Sequence, residues 1–202
     1  IPQPLPPEDF VIAVDQGTTG TKAYRLYASG RFEHVLSLQH RQILGSQCEG
    51  VAGQPATDSW VEHDADEILG HLSQSIEAAV AGGSGRCIGI GLDNQGETCV
   101  AFDKETGEPF GNALVWQDAR TSDVVEAIKR GNNEGVVSSR SGLTLDSYFS
   151  ASKLAWLLEH REGAAEPPAR GAPGLCPLDA DHLSRPPRPA RHAPDLSCAS
   201  PP

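Results

Sequence analysis

Apolar and polar positions alternate from Phe10 to Asp15, from Thr21 to Tyr27 and from His34 to Leu44, with short turns at Gly17 and Gly30 between the runs. That is the period of a strand, and it predicts a three-stranded meander. A loop runs on to Trp60. From Asp64 the period changes. Ile68, Leu69, Leu72, Ile76, Ala79 and Val80 recur at helical spacing, Asp64 suits an N-cap, and Gly82-Gly83 end the segment. Arg86 to Leu92 reads as a buried strand reached by a crossover. Thr98–Asp103, a Lys104-Glu105-Thr106-Gly107 turn and Ala113–Trp116 add further strand. Helices are expected over Thr121–Arg130 and Phe149–His160, the second carrying Leu154, Trp156, Leu157 and Leu158. A meander followed by a strand-helix-strand unit predicts an α/β domain whose mixed central sheet is flanked by helices.

The turn after the first strand carries the strongest chemical signal. An apolar run delivers Asp15 to a strand end, and Gln16-Gly17-Thr18-Thr19-Gly20-Thr21-Lys22 follows. Glycines without a Cβ admit a close neighbour, while hydroxyls beside backbone N–H groups suit an anion, with Asp15 placed to hold a metal. A Walker A loop would set lysine directly after the second glycine and open a helix. Here Thr21 intervenes, and Lys22-Ala23-Tyr24-Arg25-Leu26-Tyr27 alternates as a strand, so the loop is a hairpin tip.

Three polar constellations lie where such a sheet would present residues to a cleft. Asp93-Asn94-Gln95-Gly96-Glu97-Thr98 follows a buried strand, and a carboxylate there can accept hydrogen bonds from a polyol. Asn112-Ala113-Leu114-Val115-Trp116-Gln117-Asp118-Ala119-Arg120 sets an indole beside an amide, an acid and a guanidinium. That combination packs against a sugar's carbon skeleton while its polar groups fix the hydroxyls. In Leu145-Asp146-Ser147-Tyr148-Phe149-Ser150-Ala151-Ser152-Lys153, Tyr148 precedes a helix and can direct its phenol into the same cleft. Singly, Trp116 or Tyr148 suits a core or a rim, Glu97 an edge charge, and Asp146 or Ser147 a helix cap. Together they point to one site.

Composition narrows the partners. The 202 residues carry a net charge of −11, from 16 basic and 27 acidic side chains, and the basic residues form no block and no aromatic-basic interleaving. This argues against nucleic-acid and anionic-membrane surfaces and leaves a small ligand. Cys48, Cys87, Cys99, Cys176 and Cys198 are odd in number, widely spaced and without a C-x-x-C pair, which fits reduced thiols in a cytoplasmic protein. No apolar run reaches the length of a membrane span. With no Met and a proline-rich opening from Ile1, the chain is expected to be a fragment.

These residues resemble the N-terminal half of the FGGY carbohydrate kinases. The resemblance is carried by Asp15-Gln16-Gly17-Thr18-Thr19, Trp60-Val61-Glu62-His63-Asp64, Asn94-Gln95-Gly96-Glu97-Thr98, Lys104-Glu105-Thr106-Gly107, Val115-Trp116-Gln117 and Tyr148-Phe149-Ser150-Ala151-Ser152-Lys153, in the family's order and spacing. It implies an actin-like, ribonuclease-H-like ATPase domain over residues 9–160 after a proline-rich extension over 1–8, with the second domain missing. It also implies transfer of the γ-phosphoryl of ATP to a polyol or sugar hydroxyl, on the glycerol kinase pattern, with a possible homo-oligomer in the intact enzyme. By the match, Asp15 would hold Mg²⁺, and Gln16, Gly17, Thr18, Thr19, Thr21 and Lys22 would face the phosphates. Gly96, Glu97, Trp116 and Tyr148 would line the acceptor site.

Two departures modify that expectation. Gly96 stands where glycerol kinases resemble Asn-Gln-Arg-Glu-Thr, so an arginine is replaced and space is gained, which admits erythritol, xylitol or xylulose as alternative acceptors. The aspartate that takes the acceptor's proton lies, in the family, beyond this chain, so no catalytic base is assigned and the fragment is expected to be inactive. Residues 161–202 are rich in proline, including Pro177, Pro187, Pro194 and Pro202, and read as a degenerate continuation of the domain, poorly ordered. A non-kinase ATPase of the same fold, or a scaffold, are the competing classes. The ATPase would have no reason to keep Glu97, Trp116 and Tyr148 together, whereas a scaffold could use the half-site to bind a partner without turnover.

Overall fold

The computed structural model describes residues 8–161, apart from 52 and 132, together with the backbone of residues 174–177. The expectations for the proline-rich opening and for most of the stretch from 162 to 202 fall outside the described residues.

Strands β1 (Phe10–Gln16), β2 (Gly20–Tyr27) and β3 (Phe32–Gln39) form the expected meander. After helix α1 (Ala65–Ala81) comes β6 (Cys87–Asn94), which lies parallel to β1 and gives the sheet order β3-β2-β1-β6. The alternation in β1 sends Phe10, Ile12 and Val14 to the side covered by α1. There they meet Tyr27 and Ala79, with Leu72, Ile76 and Leu92 packed around them. Asp15, one position on, emerges on the opposite face.

The ends of α1 are fixed by chemistry visible in the chain. The Asp64 carboxylate accepts from the backbone N–H groups of Asp66 and Glu67 and caps the first turn. At the other end, buried Arg25 of β2 donates to the carbonyls of Ala78 and Ala79 at 2.9 and 2.6 Å, placing a cation where the helix dipole is negative. A Cβ on Gly82 would lie 2.1 Å from the Arg25 guanidinium, and one on Gly83 would lie 2.3 Å from the Phe10 ring. Only glycine lets the chain leave the helix so close to the sheet.

The remaining strands do not extend this sheet as expected. β4 (Ile43–Leu44), β5 (Val61–His63), β7 (Cys99–Phe102), β8 (Ala113–Leu114) and β9 (Gly174–Pro177) make a second sheet in the order β4-β5-β8-β7-β9. The run from His34 to Leu44, read as one strand, divides at His40, where the chain turns to bury that imidazole beneath the first hairpin. β5 and the short helix α3 (Glu134–Ser141) were not foreseen. β5 is too short to show a period, and α3 buries none of its residues. Pro177 sits at the end of the edge strand β9, where a missing N–H is tolerated.

Helices α2 (Ser122–Arg130) and α4 (Ser150–His160) match expectation within a residue, and α4 packs on β7. The second core gathers Ile43, Trp60, Leu114, Trp156 and Leu157. Within it the Arg120 guanidinium lies 3.7 Å over Trp60 and 4.5 Å over Trp156, paired with Asp118 and Glu62 at 2.8 Å each. All three charged side chains are fully buried. Removing one partner would strand an uncompensated charge, so this cluster fixes how the loop after β8 leaves the sheet.

Candidate functional site

The hairpin between β1 and β2 closes by a hydrogen bond from Gly17 N–H to the Gly20 carbonyl at 3.0 Å, and the register sets Asp15 opposite Lys22 and Gln16 opposite Thr21. Strand alternation divides these pairs between two faces. The Asp15 carboxylate and the Lys22 ammonium are both about half exposed and 3.9 Å apart on the open face. Gln16 and Thr21, also expected at the phosphates, turn their side chains inward to His40, at 3.3 and 3.1 Å from its Nε2. They support the hairpin from behind. Gly20 has its own reason to be glycine, because an added Cβ would lie 2.3 Å from the Leu38 carbonyl of β3.

Of the residues expected at the acceptor, Trp116 meets this hairpin and Tyr148 meets Trp116. Trp116, just past β8, donates its indole N–H to the Thr18 hydroxyl at 2.8 Å. Its ring meets Tyr148 edge-on with centroids 5.5 Å apart. A cavity of about 350 Å³ opens beside this corner, lined by Trp116, Gln117, Asp146, Ser147 and Tyr148. Tyr148 is 43% exposed, so the phenol borders the opening rather than filling a core. Gly96 lies in open space, with nothing within 4 Å of an added Cβ.

Glu97 is anchored from two sides of one residue. Its Oε2 accepts from the Ser150 N–H at 2.7 Å and from the Ser150 hydroxyl, so the carboxylate caps α4 and ties the Gln95–Thr98 turn to the loop bearing Tyr148. That same loop is held from beneath by Lys153. Its ammonium, fully buried, donates to the carbonyls of Ser147 and of Tyr148, the latter at 3.1 Å. Burial lowers the Lys153 pKa.

Several supporting residues were missed as such. His40 and His63 are buried behind the hairpin, and burial lowers both pKa values, His63 to about 4. Gln42 donates to the Thr18 carbonyl at 3.0 Å. His63, Gln95, Thr98 and Lys153 all stood inside the quoted motifs, and polar side chains at inward positions next to a glycine turn were the signal available. Gln42 and His40 fell within a run read simply as strand.

Among the described residues no group of three or more His, Cys, Asp and Glu side chains could by itself enclose a metal. A single half-exposed carboxylate beside hydroxyls and a cation still fits a magnesium-bound triphosphate, because Mg²⁺ is commonly held by one or two carboxylates with phosphate oxygens and water completing its shell. Among the described residues, also, no helix is long and apolar enough to cross a membrane.

The model for the FGGY family of carbohydrate kinases, N-terminal domain, matches residues 10–168. A glycerol kinase from Allorhizobium ampelinum is 41% identical over 170 residues, covering 83% of this chain and 32% of that protein. Among solved structures, Plasmodium falciparum glycerol kinase with ADP superposes with a TM-score of 0.67 at 26% identity, over 78% of this chain and 30% of the other. Gluconate kinase from Lactobacillus acidophilus, at 19% identity, shares the fold with a TM-score of 0.63 over 74% of this chain and 28% of the other. The chain thus spans about a third of the length of the curated relatives it matches. The fold is the actin-like, ribonuclease-H-like α/β fold expected from the sequence.

Proposed function

Because this chain belongs to the FGGY family of carbohydrate kinases, we propose that it carries the phosphate-facing hairpin and the acceptor pocket of an ATP-dependent kinase for a polyol or sugar hydroxyl, with glycerol as the leading acceptor. The observation that supports the proposal is the 2.8 Å hydrogen bond from the Trp116 indole to Thr18, which joins a residue assigned here to the acceptor with one assigned to the phosphates. Phosphoryl transfer asks little covalent help of a protein. It depends on holding an alcohol in line with the γ-phosphorus and on offsetting the charge that develops.

Each side chain then has a task. Asp15 holds Mg²⁺, and Lys22 with the hydroxyls of Thr18 and Thr19 faces the phosphate oxygens. When bound, the metal would offset phosphate charge. The Trp116–Tyr148 corner takes the carbon skeleton of the acceptor, and Glu97, held by Ser150, orients its hydroxyls. Turnover belongs to the proposal as well, since the relatives are about three times as long as the matched segment. Its test begins with binding. Calorimetric titration with glycerol in the presence of Mg·ATP is expected to give saturable binding that Trp116→Ala impairs, and labelled γ-phosphate should appear on glycerol with a protein that carries this chain at the length of its relatives. Binding of no polyol at all would overturn the proposal.

A second acceptor class is favoured by one observation, the open space at Gly96. Without a side chain there, an acceptor bound beside Gly96 has room to be a longer polyol or a ketose such as xylulose.

A further inference from the structure

Two side-chain amides, buried Gln95 and half-buried Gln42, define the state of the histidine behind the hairpin. Gln42 Nε2 lies 3.0 Å from the Thr18 carbonyl and 3.2 Å from the His40 carbonyl, so it is the NH₂ end. Its Oε1 therefore faces His63 Nε2, at 3.1 Å, and that nitrogen must donate. On the other side of the ring, Gln95 Nε2 lies 3.4 Å from His63 Nδ1 and 3.5 Å from the Gly17 carbonyl, while Gln95 Oε1 accepts from the Thr98 hydroxyl at 2.8 Å. Nδ1 must accept. Both neighbours demand the same neutral tautomer, protonated on Nε2, and an imidazolium would leave one donor facing another.

The chain of bonds leads from one subsite to the other. Trp116 N–H donates to the Thr98 hydroxyl at 3.2 Å, Thr98 donates to Gln95, Gln95 to His63, His63 to Gln42, and Gln42 to the carbonyl of Thr18. Trp116 also reaches Thr18 directly through its indole, so the route closes into a ring. His63 is 0% exposed at its centre.

We propose that His63 is a positioning residue, which holds the phosphate hairpin in register with the acceptor strand through Gln42 and Gln95 without touching either ligand. The proposal rests on the kinase reading of the hairpin. Each of the Gly17 and Thr18 carbonyls is pulled back toward the interior by a side-chain amide, which leaves the Thr18 hydroxyl and the tip's outer face for phosphate oxygens. A histidine that merely filled space would need neither a particular tautomer nor two oriented amides.

The test has two arms on the full chain. In the first, without ligand, long-range ¹H–¹⁵N spectra of the histidine rings are recorded. His63 is expected to show a protonated Nε2 and a bare Nδ1, and the opposite tautomer overturns the proposal. In the second, affinity for inorganic triphosphate with Mg²⁺ is compared among wild type, His63→Phe and His63→Gln. Phenylalanine keeps the ring but loses both bonds and should weaken binding about tenfold, whereas glutamine keeps a donor toward Gln42 and should recover part of that loss. Wild-type binding that both variants leave unchanged overturns the positioning role alone. A wild-type chain that binds no triphosphate overturns the phosphate reading of the hairpin, and the positioning role with it. Should His63→Phe fail to fold, the tautomer and the glutamine variant still decide.

Discussion

The indole N–H of Trp116 and the hydroxyl of Thr18, 98 residues apart in the chain, meet at 2.8 Å. This contact makes the aromatic corner of the proposed acceptor pocket a wall of the proposed phosphate hairpin as well. Trp116→Phe keeps a ring against Tyr148 but removes the donor, so it should weaken Mg·ATP binding by a few-fold while changing polyol affinity less, whereas Trp116→Ala should impair both. Calorimetry with each ligand separately distinguishes the two. Equal losses for Phe and Ala on both ligands would contradict the assignment.

Asp15 is half exposed and pairs only loosely with Lys22 at 3.9 Å, so its carboxylate contributes little to folding. Asp15→Asn is therefore expected to leave thermal stability within about 0.5 kcal/mol and to remove most of the Mg²⁺ dependence of nucleotide binding. A variant that binds Mg·ATP as tightly as wild type would take the metal away from this residue.

Open space around Gly96 means that Gly96→Arg meets no backbone and no packed side chain near its Cβ. The substitution should leave stability unchanged and shift preference toward glycerol over xylulose by about tenfold, because the new guanidinium both fills volume and supplies donors. Competition between the two acceptors measures the shift. An unaltered ratio would remove Gly96 from specificity.

Lys153 offers a different signature. Its buried ammonium fastens the carbonyls of Ser147 and Tyr148, so Lys153→Met should release the loop and raise the acceptor Kd or KM about tenfold, with Mg·ATP affinity little changed. Loss of both affinities in parallel would point to a folding defect instead.

Acid should destabilise the domain through the imidazole behind the hairpin. The folded-state pKa of His63 is pushed by burial to about 4, from an ordinary 6.5, with His40 opposing and Glu67 favouring the charged form. Between those values the unfolded chain takes up a proton that the folded chain refuses. Stability therefore falls as the pH drops from about 6.5 toward 4, by at most ~3 kcal/mol. Urea unfolding at pH 7.5, 6 and 5 should show a steeper slope for wild type than for His63→Gln, which has no group to titrate there. Parallel slopes would contradict the burial of a neutral imidazole.

What could be inferred from residues alone followed their periodicity. The β1–β2 hairpin, α1 with its Asp64 cap, and α4 were each long enough to show one, and Asp15, Trp116 and Tyr148 stood in dense local motifs. The division into two sheets was not accessible, because β5 and β8 are only three and two residues long and pair between distant segments, which the buried Arg120–Glu62–Asp118 cluster also joins. The inward turn of Gln16 and Thr21 follows from strand alternation once Asp15 is known to face out. Their partner, His40, comes from the end of a third strand and carries no local mark of that role.

The central claim, that phosphate and alcohol occupy adjoining parts of one cleft, is tested most directly at the Trp116 indole. Its N–H resonance, identified by its loss in Trp116→Phe, can be followed while glycerol and Mg·ATP are added in separate titrations. The contact with Thr18 on one side and Tyr148 on the other predicts that both ligands shift this one resonance, and that saturation with either changes its response to the other. A resonance that responds to neither ligand, or to only one of them, would contradict a shared site.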